Sequence, residues 1–404
     1  MAELGVTQAR IDEQSVAQRV LEGVPTSFAC AAGVTEKGPE DGVPVLVESL
    51  AQFEETFGGP LPEPGPDAVE AWGLWEGGRW WLLHHAVRGF FDNGGDRLWV
   101  SRVRPTGGDS GTLETLTPED FLGSADGARG GVLALGAVDD GSICFVPGLW
   151  APTVQEALVE LCERRGDRFA VLDAPAGASP QEVLDQRGEL ESRLPAATLA
   201  ALYYPWLEVA DPADASSRLV VPPSGHVAGV LARVDRERGV WEAPANEAVR
   251  GAVSLERRLT DGEVEALAPR GINPLREMAD RGVRIWGART LAAASPWRYV
   301  GVRRYLTYLE QSLGRGTEWA VAEPNDDRLW HHVESVAESF LMQEWLRGAL
   351  QGTRPEEAFF VRCDQTTMTR EDIDSGLLIC QVGVAPLRPA EFVTFRFAHR
   401  VRRP

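Results

Sequence analysis

The chain has 404 residues, 44% apolar and 25% charged, enough for two or three domains that each bury a core without help from disulfides or metals. Its formal charge of -20 repels a phosphate backbone and argues against nucleic acid as the principal partner. Five cysteines (Cys30, Cys144, Cys162, Cys363, Cys380) form no C-x-x-C pair, which fits a reducing compartment; the start, MAELGVTQARIDEQ, has no basic or hydrophobic leader and no apolar run approaches the roughly 20 residues that span a bilayer, so neither Sec-type export nor stable membrane insertion is expected.

Helix and strand signals alternate along the chain, the pattern of an α/β protein. Ser49 caps a helix carrying Leu50, Phe53 and Phe57, stopped by Gly58 and Gly59. Residues 80–93 place Leu83, Val87 and Phe90 on one helical face before Gly94 and Gly95, and Leu98–Val100 reads as a strand. Thr153 with Glu156, and Ser179 with Glu182 behind Pro180, fit capping boxes. RFAVLDAP and ATLAALYY read as strands, and Ser224 opens a helix with Val227, Val230, Leu231 and Val234 inward. The first domain is expected to end near residue 265.

The second half predicts a strand at RGVRIWGARTL, a helix with Val302, Tyr305, Leu306, Leu309 and Leu313, and a strand at TEWAVAE. A long helix from about Asp327 to Leu350 carries the apolar stripe Leu329, Val333, Val336, Phe340 and Leu341, and strands AFFVRC and LLICQVGV follow. The last segment, EFVTFRFAHRVRRP, alternates Val393, Phe395 and Phe397 against Thr394, Arg396 and Ala398, the period of a strand with one buried face. It has no evident local partner, so pairing with a neighbouring subunit's sheet is expected, with an edge strand of its own domain as the alternative. The termini also differ in sign: five arginines against Glu391 in residues 386–404, four acids against two arginines in residues 1–23.

No catalytic pattern stands out. The adjacent pairs His84–His85 and His331–His332 point about 100 degrees apart on their helices and cannot share an ion; they read as surface or boundary histidines. Ser224 and His226 in PPSGHVAG are the one candidate nucleophile and base, and Ser224 reads better as a helix cap. Asp139 and Asp140 before Gly141 read as loop chemistry, and no glycine turn has the form of a phosphate cradle. In AWGLWEGGRWW, Trp80 and Trp81 are expected to open a packed helix, with Trp72 and Trp75 in a loop or interface. No metal, cofactor or catalytic residue is assigned.

Read in order, the segments GVPTSFACAAGVTEKGP, PVLVESLAQFEETFGG and HHAVRGFFDNGGDRLWVSRV resemble the N-terminal part of the contractile tail sheath family, found in phage tails, R-type bacteriocins and extracellular injection particles. AVLDAPAG, YYPWLEV and VPPSGHVAGVLARVDRERGVWEAPANE continue the likeness through the middle. RGINPLRE, RIWGARTL, WRYVGVRRYLTYLEQSL, GTEWAVAEPNDDRLW, EAFFVRCDQTTMTREDID and VGVAPLRPAEFVTFRF extend it to about residue 397. Two positions depart from the family pattern: Leu4-Gly5-Val6 is a partial echo of its opening strand, and Gly301 replaces a frequent polar residue.

The resemblance implies a multi-domain α/β subunit with a core domain, a discontinuous C-terminal inner domain facing a tube, and extended arms for strand exchange between subunits. The corresponding divisions are 1–23 (N-terminal arm), 24–265, 266–390 and 391–404 (C-terminal arm), with Val6, Ile11, Phe392, Val393, Phe395, Arg396 and Phe397 as arm residues. It further implies a structural role: a helical homopolymer around an inner tube protein, bounded by baseplate and terminal cap proteins, whose contraction drives the tube through a target envelope. Assembly in the bacterial cytoplasm, for use in a phage tail or a released injection particle, goes with that role. An α/β hydrolase using Ser224 and His226, or a tube or baseplate adaptor, are the competing readings.

Overall fold

The computed structural model describes residues 21–64, 78–105, 116–124, 129–212, 214, 216–293, 296–387 and 393–402. Within them the strands are β1 (Ala29–Val34), β2 (Val45–Val47), β3 (Leu98–Val103), β4 (Ile143–Phe145), β5 (Phe169–Asp173), β6 (Ala200–Tyr204), β7 (Leu207–Ala210), β8 (Arg218–Val221), β9 (Glu247–Ala248), β10 (Ala252–Leu255), β11 (Ile272–Met278), β12 (Gly282–Ile285), β13 (Phe359–Arg362), β14 (Leu377–Val384) and β15 (Val393–Arg400).

Nine of these strands form one sheet in the order β2-β3-β1-β4-β5-β6-β11-β12-β9. The run from β3 to β11 is parallel, and antiparallel strands close both ends. Every residue of β1, β4, β5 and β6 is buried, as a parallel sheet covered on both faces requires. The expected α/β architecture is therefore present. A second antiparallel sheet, β10-β7-β8, continues from β6 through Trp206.

Helices Leu83–Asp92 and Ser224–Glu237 pack against each other over the sheet. Glycines set how close they come: a Cβ on Gly225 would collide with the Ala86 carbonyl, and one on Gly229 with that of Phe90. The reciprocal contact is Gly89, which leaves room for the His226 ring.

Beyond Val300 a second hydrophobic core forms between helices Val300–Gly316 and Asp327–Leu346 and the sheet β13-β14-β15. The boundary expected near residue 265 falls inside the first body: β11 pairs with β6, and Leu267, Ile272, Leu275, Ile285, Leu291 and Val300 belong to the first core. A helix-to-strand change in pattern marked an element boundary there, while the sheet ran on.

Two further expectations are corrected. TEWAVAE is a 3-10 helix, Glu318–Ala322, not a strand. The helix at Pro152–Arg165 starts with Pro152 in its first turn behind Ala151, and Thr153 does not cap it. The caps at Ser49 and Ser179 are present as read, the latter with its Glu182 capping box.

The two bodies are tied by buried polar contacts. Arg304, on helix Val300–Gly316, donates to both Asp235 carboxylate oxygens at 2.8 and 2.6 Å and to the Thr26 carbonyl at 3.0 Å. Burial raises the Asp235 carboxyl above its ordinary range, against the pull of Arg304. Residues 21–26 run along the same helix: Val24 N–H donates to Ser312 Oγ at 3.0 Å, and Leu21 sits over Gly316. Gly301 opens this helix beneath the Trp241 and Glu242 carbonyls, 2.8 and 2.9 Å from where a Cβ would stand, which explains glycine at that position.

Candidate inter-subunit edge and the buried polar sites

β15 is the edge strand of a three-stranded antiparallel sheet and pairs with β14 of its own chain from Val393↔Val384 to Arg400↔Leu377. The sequence expectation that it has no local partner is thereby corrected: β14 presents a free edge opposite β13, and β15 fills it. Its alternation is visible in burial. Val393, Phe395 and Phe397 are half-buried against the second core, opposite Val384, Val382 and Cys380, while Thr394, Arg396 and Ala398 are exposed. Val6, Ile11 and Phe392 lie outside the described residues.

Contacts at the far end fix the strand's register. His399 shares a hydrogen bond with Thr317 Oγ1 at 2.7 Å, Val401 N–H donates to the Gly376 carbonyl, and Arg402 exchanges backbone bonds with Glu323 and Asn325. Residues 385–392 connect β14 to β15. That is far longer than the two-residue turn of a tight hairpin and reaches roughly 26–29 Å when extended.

Ser224 and His226 do not form a nucleophile–base pair. The Ser224 hydroxyl donates to Asp173 Oδ2 at 2.7 Å, and the Ser224 N–H and Gly148 N–H reach the same carboxylate at 2.9 and 3.0 Å. Ser224 is fully buried. Burial pushes the Asp173 carboxyl up to about 7 in spite of these donors. The network ties the C-terminal end of β5 to the start of helix Ser224–Glu237, so the serine is a tether and not the predicted cap. His226 is buried with Nδ1 lacking a hydrogen-bond partner, and burial lowers its pKa to about 4.

His84 and His85, read as surface or boundary residues, are buried as well. They line the covered face of a helix packed on two others, and His84 Nε2 meets Glu54 at 2.9 Å. Desolvation lowers both pKa values, that of His85 to about 4. His331 is exposed, and the His332 ring packs tilted against Trp319 with centroids 4.5 Å apart. Trp80 and Trp81 are buried at the start of their helix as expected, and Trp72 and Trp75 lie outside the described residues. Among the described residues no group of three or more His, Cys, Asp or Glu could hold a metal ion, and no helix is long and apolar enough to cross a membrane.

A cavity of about 700 Å3 opens where the two bodies meet, lined by Trp241, Trp286, Tyr299 and Tyr305 beside Asn273 and Arg289. Asn273 spends its amide on the Leu202 and Arg289 carbonyls and on Arg289 N–H. Its polar capacity goes to the fold, and the walls offer an aromatic hollow with no assembled catalytic set.

Two family models match in tandem: the phage tail sheath protein central domain at residues 143–291 and the phage tail sheath C-terminal domain at residues 292–400. The chain belongs to the phage tail sheath family. Among relatives of this sheath chain, the tail sheath protein of Burkholderia phage BcepMu is 28% identical over 244 residues, covering 56% of the chain and 48% of that protein. The sheath chain thus spans about half the length of that relative. Solved structures match along nearly the whole chain. The sheath complex of the extracellular contractile injection system PVC, in its contracted state, aligns with a TM-score of 0.71 at 27% identity, covering 98% of both chains. The contracted helical sheath of the anti-feeding prophage aligns with a TM-score of 0.70 at 27% identity, over 98% of this chain and 99% of that one.

Proposed function

We propose that this chain is the structural subunit of a contractile sheath, polymerising helically around an inner tube and shortening to drive that tube through a target envelope. The observation that carries the reading is the end-to-end structural likeness to the PVC and anti-feeding prophage sheaths in their contracted state. A likeness of the same quality to a chain of the anti-feeding prophage baseplate supports a baseplate contact at one end of the polymer. The sequestered Ser224 and the unpartnered His226 Nδ1 weigh against the hydrolase alternative.

In this reading residues 1–23 and 391–404 are the arms: Val6 and Ile11 belong to the first, and Phe392, Val393, Phe395, Arg396 and Phe397 carry the second. β14 accepts a strand of this sequence within the subunit, and the long 385–392 connection would let it accept the same strand from a neighbour. Each backbone hydrogen bond of the ladder contributes about 0.5–1.5 kcal/mol net, and the half-buried apolar side chains add to it. Such a joint can stay made while rigid bodies rotate about its linker. The energy of contraction then comes from body-to-body contacts better made in the short lattice, with the extended lattice held kinetically. Inner tube and cap proteins are the remaining partners, and assembly takes place in the bacterial cytoplasm before use in a phage tail or a released particle.

The test is negative-stain microscopy of the purified chain, alone and with its tube protein. Hollow helical sleeves are the expected outcome. Flat discs at all conditions would favour the adaptor reading, and a strictly monomeric species across protein and salt concentrations would overturn polymerisation.

A further inference from the structure

The described residues hold two groups of neighbouring thiols, all buried, and they differ in how near they lie to an exposed stretch of chain. Cys30, Cys144 and Cys162 are all fully buried; Cys30 and Cys144 face each other across the parallel pair β1–β4 at the centre of the large sheet. Cys363 follows the last residue of β13, and Cys380 lies within the central strand β14; both are buried. The β13–β14 register ends at Arg362↔Gln381, which places Cys363 directly opposite Cys380 on the antiparallel partner.

That position is of a particular kind. Ala385 N–H donates to the Ala358 carbonyl, so the alternation of an antiparallel ladder makes 359/384, 361/382 and 363/380 non-hydrogen-bonded pairs. In such pairs the Cα atoms stand about 4.5 Å apart and the side chains approach each other, which lies inside the range a disulfide bridges. Both residues belong to the second core. Immediately after Cys363 the chain turns through the exposed residues Asp364, Gln365 and Thr366, so a small solute has a short path to this end of the strand.

We propose that Cys363 and Cys380 are a redox-responsive pair that closes to a disulfide when the chain meets hydrogen peroxide. The peroxide oxygen transfers to Cys363 Sγ, giving a sulfenic acid and one water. The Cys380 thiol then displaces hydroxide from that sulfur, its proton leaving with the hydroxide as a second water, and the S–S bond forms. Two thiols lose two electrons in total and one peroxide becomes two waters. The neighbouring Cys363 thiol and burial keep Cys380 protonated, so it must lose its proton as it attacks, and the second step is the slow one. The bond closes the loop of residues 363–380 and staples β13 to the strand that carries β15. This inference rests on strand register and does not depend on the proposed function.

The experiment treats the purified full-length chain with a small excess of hydrogen peroxide, blocks remaining thiols, and maps peptides by mass. The expected result is a fall from five free thiols to three, a mass lower by two hydrogen atoms, and linked peptides containing Cys363 and Cys380, all reversed by dithiothreitol. Cys363→Ala and Cys380→Ala chains should form no disulfide. Slower hydrogen exchange at β13 and β14 in the oxidised chain is the expected structural readout. Linkage through Cys30, Cys144 or Cys162 overturns the proposal. So does retention of all five thiols by the native chain under conditions that oxidise the urea-unfolded chain.

Discussion

The large parallel sheet and the small C-terminal sheet solve the problem of a strand's second face in opposite ways. In the large sheet β1, β4, β5 and β6 are covered on both faces, and buried polar groups are tethered: Asp173 takes three donors, and Arg168 is held by Asp167 and two backbone carbonyls. In the small sheet only one face of β15 is covered, and every second side chain meets solvent. The first arrangement makes a body that moves as a unit. The second makes a strand whose attachment is mostly backbone ladder plus a few half-buried rings, as the proposed exchange of this strand between subunits would require.

Equivalent substitutions in the two sheets should separate these roles. Phe145→Ala in β4 leaves a cavity in a fully packed core and should cost about 3–5 kcal/mol, read as a lower urea midpoint by circular dichroism. Asp235→Ala strands the buried Arg304 guanidinium between the bodies and should cost a similar 3–5 kcal/mol, or about that; if the bodies are independent, a second transition will separate from the first in calorimetry. Deleting residues 391–404 should spare the first body's near-native circular dichroism and abolish sleeves under the microscope. Normal sleeves from that deletion would remove β15 as the hook, and global unfolding would show that it belongs to the subunit's own stability core. Phe397→Ala in β15 removes a half-buried ring and should cost about 1 kcal/mol. Arg396→Ala, exposed on the same strand, should stay within about 0.5 kcal/mol for folding and act on assembly in a salt-dependent way.

Acidification sharpens the contrast within the large body. Asp173, raised from 3.8 to about 7, holds its proton more tightly when folded, so its contribution is fully present below about pH 4 and is lost as pH rises through about 7. His226, lowered from 6.5 to about 4, contributes above about pH 6.5 and loses that contribution as pH falls through about 4. The urea midpoint of His226→Leu should therefore fall less steeply than wild type between pH 6.5 and 4, and that of Asp173→Asn should fall less steeply between pH 4 and 8.

Much of this was legible from residue pattern. LLICQVGV is β14 to the residue, the stripe Leu329–Leu341 is core, and the helices after Ser49 and Ser179 begin where their caps say. What escaped was set at long range. β1, as Ala-Cys-Ala-Ala-Gly-Val, has small residues on both faces and shows no alternation to read. TEWAVAE carries a short apolar run whose period does not separate strand from a 3-10 turn. The histidines at 84 and 85 looked polar and adjacent, yet helix packing buries both. The partner of β15 was invisible because register between distant strands leaves no local mark, whereas its own in-and-out alternation was plain in the sequence.

The strap at residues 21–26 sets a clock on biosynthesis. Val24 bonds to Ser312, 288 positions later, and Thr26 to Arg304. The start of the chain leaves the ribosome early, while the helix that receives it has yet to be translated. At about 5–20 residues per second, the delay is on the order of tens of seconds. Through that interval the N-terminal end stays undocked, and the two bodies gain their fixed relation when helix Val300–Gly316 arrives. A nascent chain thus cannot fix the relation of its two bodies before residue 316 has been made.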